Sequence, residues 1–324
     1  MNSSQHRCGS VAIIGRPNVG KSTLLNRFIG QKIAIVSPKP ETTRDRLLGI
    51  LTLPNTQILF LDTPGIYRGP RTLLGKFQVQ AAREALAQAD LVLLITEAQV
   101  GLTDADRQII RLLPKKGMEP RPAFLAINKV DRVEKTLILP QIQEATRLYQ
   151  FREIFPISAT KGTNADILLK ALCEALPAGP PHYPSDQVTN RSTREMVQDL
   201  IREKTLLFTH EEVPHSVAVL IDEWRSGKPP SREETSSSPP ADEYRQPKRP
   251  TTYIRATLYV ERDSQKGILI GKQGGLLKKI GQAVRPGIED LVEGPVFLDL
   301  WVKVAKNWRK DPLMLKRMGY GAEK

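Results

Sequence analysis

A chain of 324 residues exceeds what one hydrophobic core usually serves, so two domains are expected. Its net charge of +13 points to a polyanionic partner, either nucleic acid or an anionic membrane surface, while an apolar content of 40% is ordinary for a globular protein. The two cysteines, Cys8 and Cys173, form no spaced set and argue against a disulfide framework or a zinc site, and no apolar run is long enough to span a bilayer.

Residues 1–10 read as a short polar tail without the makings of a signal peptide, which predicts a cytoplasmic protein. From Val11 to Leu176, short apolar runs ("VAIIG", "TQILFLD", "ADLVLLIT", "PAFLAINK", "EIFPISA") alternate with helical periodicity, as in "LLGKFQVQAAREALAQA" and "TDADRQIIRLL". Strands of this kind separated by helices predict an α/β domain over 11–176, a mostly parallel sheet covered on both faces. The segment "RDRLLGILTLP" reads as a further strand at an antiparallel edge. Clustered prolines over 177–190 predict an interdomain linker. A smaller α+β domain follows over 191–324, in the order helix, strand, strand, helix, glycine turn, helix, strand and short closing helix. Its first two strands are separated by 225–250, rich in Pro, Ser and charge, which predicts a disordered insert.

The first strand runs into Gly15-Arg-Pro-Asn-Val-Gly20-Lys21-Ser22, a complete GxxxxGK[ST] loop at a helix start. Backbone N–H groups from Gly15 through Asn18, Val19, Gly20 and Thr23 can wrap phosphates, Lys21 reaches the β- and γ-phosphates, and the Ser22 hydroxyl suits Mg²⁺. "DTPG" (Asp62, Thr63, Pro64, Gly65) ends another strand; its carboxylate also suits Mg²⁺, and the Gly65 N–H can meet a γ-phosphate. "NKVD" supplies Asn128, Lys129 and Asp131 at a strand end, where open α/β sheets bind ligands. The Asp131 carboxylate can accept from guanine N1–H and the N2 amine, donors that adenine lacks, while Asn128 braces the first loop and the Lys129 stem covers the base. "ISAT" adds Ser158 and Ala159, whose backbone N–H suits guanine O6. "ETTRD" holds Thr42 and Thr43; Thr43 is the better placed to complete the Mg²⁺ shell when a γ-phosphate is present, which makes the segment a switch.

These five motifs in this order resemble the translation-factor-like GTPases, and "RPNVGKSTLLN", "TTRD" and "DTPG" resemble the Era branch. In Ras-like relatives a glutamine after the DTAG-type turn orients the attacking water; here that position is Ile66, so slow intrinsic hydrolysis is expected. Relatives with an apolar residue there use a potassium ion held by a first-loop asparagine, a position that Asn18 occupies.

A second glycine loop, Ile270-Gly271-Lys272-Gln273-Gly274, lacks the spacing and the hydroxyl of the first. It fits the GxxG turn between two helices of a type II KH domain, where bare backbone approaches a nucleic-acid strand. Between Lys266 and Arg285 the basic residues, with Lys278 and Lys279 among them, are unmixed with acidic ones and would neutralise phosphates. In "VFLDLWVKV", Leu298, Leu300, Val302 and Val304 read as the core face, with Trp301 and Lys303 opposite; Trp308 reads equally as a base-stacking or a core residue.

The last segment, "LDLWVKVAKNWRKDPLMLKRMGY", together with "YPSDQVT" and "LIREKTLLF", also resembles Era-family segments, so the resemblance covers almost the whole chain except 225–250. It implies a monomeric GTP/GDP switch whose KH domain engages the 3′ region of 16S ribosomal RNA during 30S subunit assembly, with peripheral membrane association as an accompanying property. A tRNA-modifying GTPase would need a catalytic cysteine or a cofactor domain, and neither is evident.

Overall fold

A computed structural model describes residues 6–36, 47–65, 73–113, 121–210, 213–227 and 250–317. It divides into two compact units, Ser192–Trp308 and the rest of the chain.

The first unit runs β1 (Arg7–Gly15), α1 (Lys21–Ile29), β2 (Leu47–Leu53), β3 (Thr56–Asp62), α2 (Leu73–Gln88), β4 (Leu91–Glu97), α3 (Asp104–Ile110), β5 (Ala123–Asn128), α4 (Ile138–Leu148), β6 (Glu153–Pro156) and α5 (Ala165–Ala175). Its six strands lie in the order β2-β3-β1-β4-β5-β6. All neighbours are parallel except β2 against β3, which places the antiparallel strand at the edge as expected. Alternation along the strands separates two cores. Val11, Ile13, Leu93 and Phe124 pack with α1 and α5, whereas Ala12, Ile14, Val92 and Leu125 pack with α2, α3 and α4. Nearly every side chain of β1, β3, β4 and β5 is buried, the consequence of covering both faces.

One boundary in the first unit differs from the sequence expectation. β1 begins at Arg7 rather than Val11, because Arg7 and Cys8 pair with Thr56 and Gln57 of β3 despite their polar surroundings in sequence. The proline-rich stretch over 177–190 precedes the boundary between the units and is held on the first one as a strap. Cys8 donates its N–H to Pro177 O at 3.1 Å, and Gly179 donates to His6 O at 3.0 Å. Gln57, fully buried, accepts from the His182 and Tyr183 N–H groups at 2.7 and 2.9 Å and donates to Tyr183 O at 2.8 Å. Farther along, Ile50 donates to Val188 O at 2.8 Å, and the Thr189 hydroxyl donates to Leu48 O at 2.8 Å, so the strap ends alongside β2. Proline suits such a strap because its carbonyl accepts while no N–H needs a partner.

The second unit contains α6 (Thr193–Phe208), α7 (Val213–Ser216), β7 (Ala218–Ser226), β8 (Thr252–Val260), α8 (Asp263–Ile270), α9 (Gly275–Val292) and β9 (Val296–Val304). Ser192 starts α6 with a capping box, its hydroxyl accepting from Glu195 N while the Glu195 carboxylate accepts from Ser192 N. The sheet order is β7-β8-β9, with β7–β8 antiparallel and β8–β9 parallel. The helices pack on one face of this sheet through Val197, Ile201, Leu269, Ile280, Val284 and Ile288. Leu298, Leu300, Val302 and Val304 face that core, while Phe297, Trp301 and Lys303 are exposed. Trp308 is a core residue: it is 1% exposed and donates its indole N–H to Ser216 O at 3.0 Å. Beyond it, α10 (Pro312–Arg317) groups with the first unit, a second departure from an undivided domain over 191–324. Most of the 225–250 insert lies outside the described residues.

Candidate functional site

The phosphate loop owes its shape to backbone conformations that glycine supplies. Gly20 stands at φ +103°, and a Cβ there would fall 2.2 Å from Asn128 Nδ2. Asn18 also takes a positive φ, 64°, one that asparagine tolerates. Gly65 backs directly onto this loop, since a Cβ there would lie 2.6 Å from Pro17 N. The DTPG turn and the phosphate loop therefore meet backbone to backbone.

Lys21, 6% exposed, folds its ammonium over the loop and donates to Gly15 O at 3.1 Å and Arg16 O at 2.9 Å. Burial pushes its pKa down to about 8; the Asp62 carboxylate opposes that shift and the Arg16 guanidinium adds to it. The Ser22 hydroxyl and the fully buried Asp62 carboxylate lie 3.1 Å apart. These two hard oxygen donors, brought together from the start of α1 and the end of β3, fit a small divalent cation such as Mg²⁺. Thr23 follows in the first turn of α1. Thr63 has a structural part as well, because its N–H and hydroxyl both bond Ile13 O, at 3.4 and 2.9 Å. Pro64 and Gly65 are buried beside it. Thr42, Thr43 and Ile66 lie outside the described residues.

At the other end of the site, Asn128 joins two loops. Its Nδ2 donates to Val19 O at 2.7 Å, and its Oδ1 accepts from the Ala159 N–H at 2.9 Å. The Ala159 N–H expected to meet guanine O6 thus donates to the asparagine of the neighbouring motif, and would serve O6 only as a shared donor. Lys129 sits at φ +65° with its ammonium 2.9 Å from Glu97 Oε1, which leaves the stem to form a wall. Asp131 is exposed at the pocket rim, and its pKa is lowered chiefly by a hydrogen bond from the Ser158 side chain. The structure brings Asn128, Lys129, Asp131, Ser158 and Ala159 together from β5 and the loop after β6.

Three supporting residues escaped the motif reading. Arg16 Nε lies 2.8 Å from both oxygens of buried Asp106, which also accepts from Thr103 N at the start of α3 and so ties that helix to the phosphate loop. Glu97 pairs with Lys129. Arg27, from the last turn of α1, donates to Ala159 O and Thr160 O at 2.7 and 3.0 Å. Each acts across a large sequence separation, so no local pattern signals it.

In the second unit, α8 ends at the glycine turn. Gly271 has φ +71° and ψ 176°, and a Cβ there would approach Leu276 Cβ to 2.8 Å. Gln273 at φ +52° and Gly274 at φ +77° complete the turn. Lys272, Gln273, Lys278 and Lys279 are exposed around it, and Ile270 is half-buried against the core. The Lys279 ammonium sits 4.6 Å from the centroid of the Phe208 ring, a cation–π contact that fixes its position.

Family models agree with both halves. One described as a 50S ribosome-binding GTPase matches residues 10–129, and one described as a KH domain matches residues 247–309. The GTPase Era of Geobacter metallireducens is 44% identical, over 99% of this chain and all of its own length. A crystal structure of Era with MgGDPNP and nucleotides 1506–1542 of 16S ribosomal RNA superposes with a TM-score of 0.88 at 38% identity, covering 98% of this chain and 100% of that one. A point variant of Aquifex aeolicus Era bound to GDP·AlF4⁻ gives 0.86 at 37% identity, with the same coverage. With two loops of different geometry on two units, and with relatives similar from end to end, the chain belongs to the Era family of GTPases.

Proposed function

We propose that this chain is a GTP-binding and GTP-hydrolysing switch that binds the 3′ region of 16S ribosomal RNA through its KH unit and assists 30S subunit assembly. The observation that carries this reading is the joining of a phosphate loop, DTPG turn and NKVD end on one sheet to an αββααβ unit with a Gly271–Gly274 turn, in a chain similar throughout to Era in its RNA complex. The phosphate loop, Gly15 and Asn18 to Thr23, holds the triphosphate, and Lys21 meets its outer phosphates. Ser22 and Asp62, joined by Thr43, hold Mg²⁺, which neutralises charge on the β- and γ-phosphate oxygens. Asn128, Lys129, Asp131, Ser158 and Ala159 select guanine, while 42–43 and 62–65 respond to the γ-phosphate. Ile270 to Gly274, with Lys278 and Lys279, grip the single strand.

The test is a titration of an RNA strand from the 16S 3′ end and of its scrambled counterpart, each with GDP or a non-hydrolysable GTP analogue bound. Tighter binding of the native strand in the GTP-analogue state is expected. Equal, nucleotide-insensitive binding would reduce the KH unit to a general RNA grip.

Asn18 further serves as a potassium ligand, so hydrolysis is faster in KCl than in NaCl; equal rates would remove that role. Peripheral membrane association rests on the net charge of +13 and is tested by flotation with anionic against neutral liposomes.

A further inference from the structure

Ala159 is held through both of the peptide planes that meet at its Cα. Its N–H donates to Asn128 Oδ1 at 2.9 Å, and its C=O accepts from Arg27 Nε at 2.7 Å. Arg27 Nη2 continues to Thr160 O at 3.0 Å, so one guanidinium spans two successive carbonyls. The same group lies against Gly162, where a Cβ would come within 2.7 Å of Nη1, and Gly162 N–H returns to Ser158 O at 2.7 Å. Arg27 belongs to α1, the helix whose first residues, Lys21 and Ser22, serve the phosphates. A basic side chain in a last helical turn commonly serves its own helix's carbonyls; here Gly30 caps α1 in a left-handed conformation, and Arg27 reaches 132 residues along the chain instead.

We infer that Arg27 is a specificity-positioning residue: it orients the Ala159 peptide toward guanine O6 from the helix that anchors the phosphates. This rests on the reading of Ala159 N–H as the O6 donor. The Ala159 N–H and C=O belong to two rigid peptide planes that meet at the Ala159 Cα, so with the first held by Asn128 and the second by Arg27 the residue between them has little freedom to turn. The forked donor set suits the task, because the guanidinium N–H groups are fixed in one plane whereas the donors of a lysine ammonium rotate.

The experiment compares GDP, IDP and 6-thio-GDP binding to wild type, Arg27→Met and Arg27→Lys by calorimetry. IDP keeps O6 and lacks the N2 amine; 6-thio-GDP keeps N1–H and N2 and replaces O6 with a poor acceptor. Arg27→Met retains the stem at an exposed position and is expected to weaken GDP and IDP by roughly three- to tenfold, with 6-thio-GDP changed by less than about twofold and Arg27→Lys in between. Equal losses for all three nucleotides, or none, would overturn the inference and leave the guanine site standing. If wild type binds 6-thio-GDP as tightly as GDP, the O6 reading of Ala159 fails and the inference falls with it.

Discussion

Lys21 is buried within the loop it would use on phosphate, and its lowered pKa sets a sign that can be measured. Below about pH 8 the ammonium is charged with or without nucleotide, so Lys21 exchanges no proton on binding there. Phosphate raises the pKa of the bound form, so above about 8 binding takes up a proton and affinity falls as pH rises. Calorimetry in two buffers of different ionisation enthalpy is expected to give an uptake, taken as the difference between wild type and Lys21→Met, near zero at about pH 6.5 and about three-quarters of a proton at about pH 8.5. Lys21→Met should weaken GDP by about 10- to 100-fold. At this scale the sequence was highly legible where a motif fixes spacing: Lys21, Ser22, Asp62, Asn128 and Asp131 lie where the loops implied. Arg27, Glu97 and Arg16 were hidden because their partners are backbone carbonyls or charged side chains that only the fold brings near. Trp308 could be read two ways, and its burial beside Ser216 decided for the core.

Among the elements, the strap over 177–190 makes the strongest demand on one side chain. Gln57→Leu preserves bulk but deprives the His182 and Tyr183 N–H groups of their acceptor. The cost should be about 2–4 kcal/mol, lowering the Tm of the first unit by about 5–10 °C in a thermal melt. The glycine turn allows a complementary change. Lys272 and Gln273 are exposed, and the left-handed backbone at Gln273 is one that aspartate tolerates. The double substitution Lys272→Asp, Gln273→Asp should therefore leave circular dichroism unchanged while weakening RNA binding at least about tenfold and flattening its salt dependence, as a filter-binding series would report. Element type was readable from periodicity in both units, including the antiparallel edge strand. Proline clustering marks the irregular backbone ahead of the second unit without saying whether that backbone is solvated or docked. The polar start of β1 misled because its burial comes from Gln57 and the strap rather than from its own sequence.

For the whole molecule, two units with separate cores imply two unfolding events. Scanning calorimetry is expected to resolve them, with Mg²⁺ and GDP raising only the transition of the first unit and a 16S 3′-end strand raising only that of the second. A single transition moved equally by both ligands would show that the units melt together. The division of labour was legible from two glycine loops of unequal length, one with a hydroxyl after its lysine and one without.

The end of the strap has a mechanical meaning. The Thr189 hydroxyl bonds the carbonyl of Leu48, the Arg191 N–H bonds the Thr189 hydroxyl in turn, and α6 begins at Thr193 after the Ser192 cap. The strap thus carries the chain along the first unit to within four residues of the start of α6. It is moored to β2, the strand that follows the TTRD segment, rather than to α5, whose end precedes it in sequence. The point of fastening therefore decides which strand the chain leaves from on its way into the second unit.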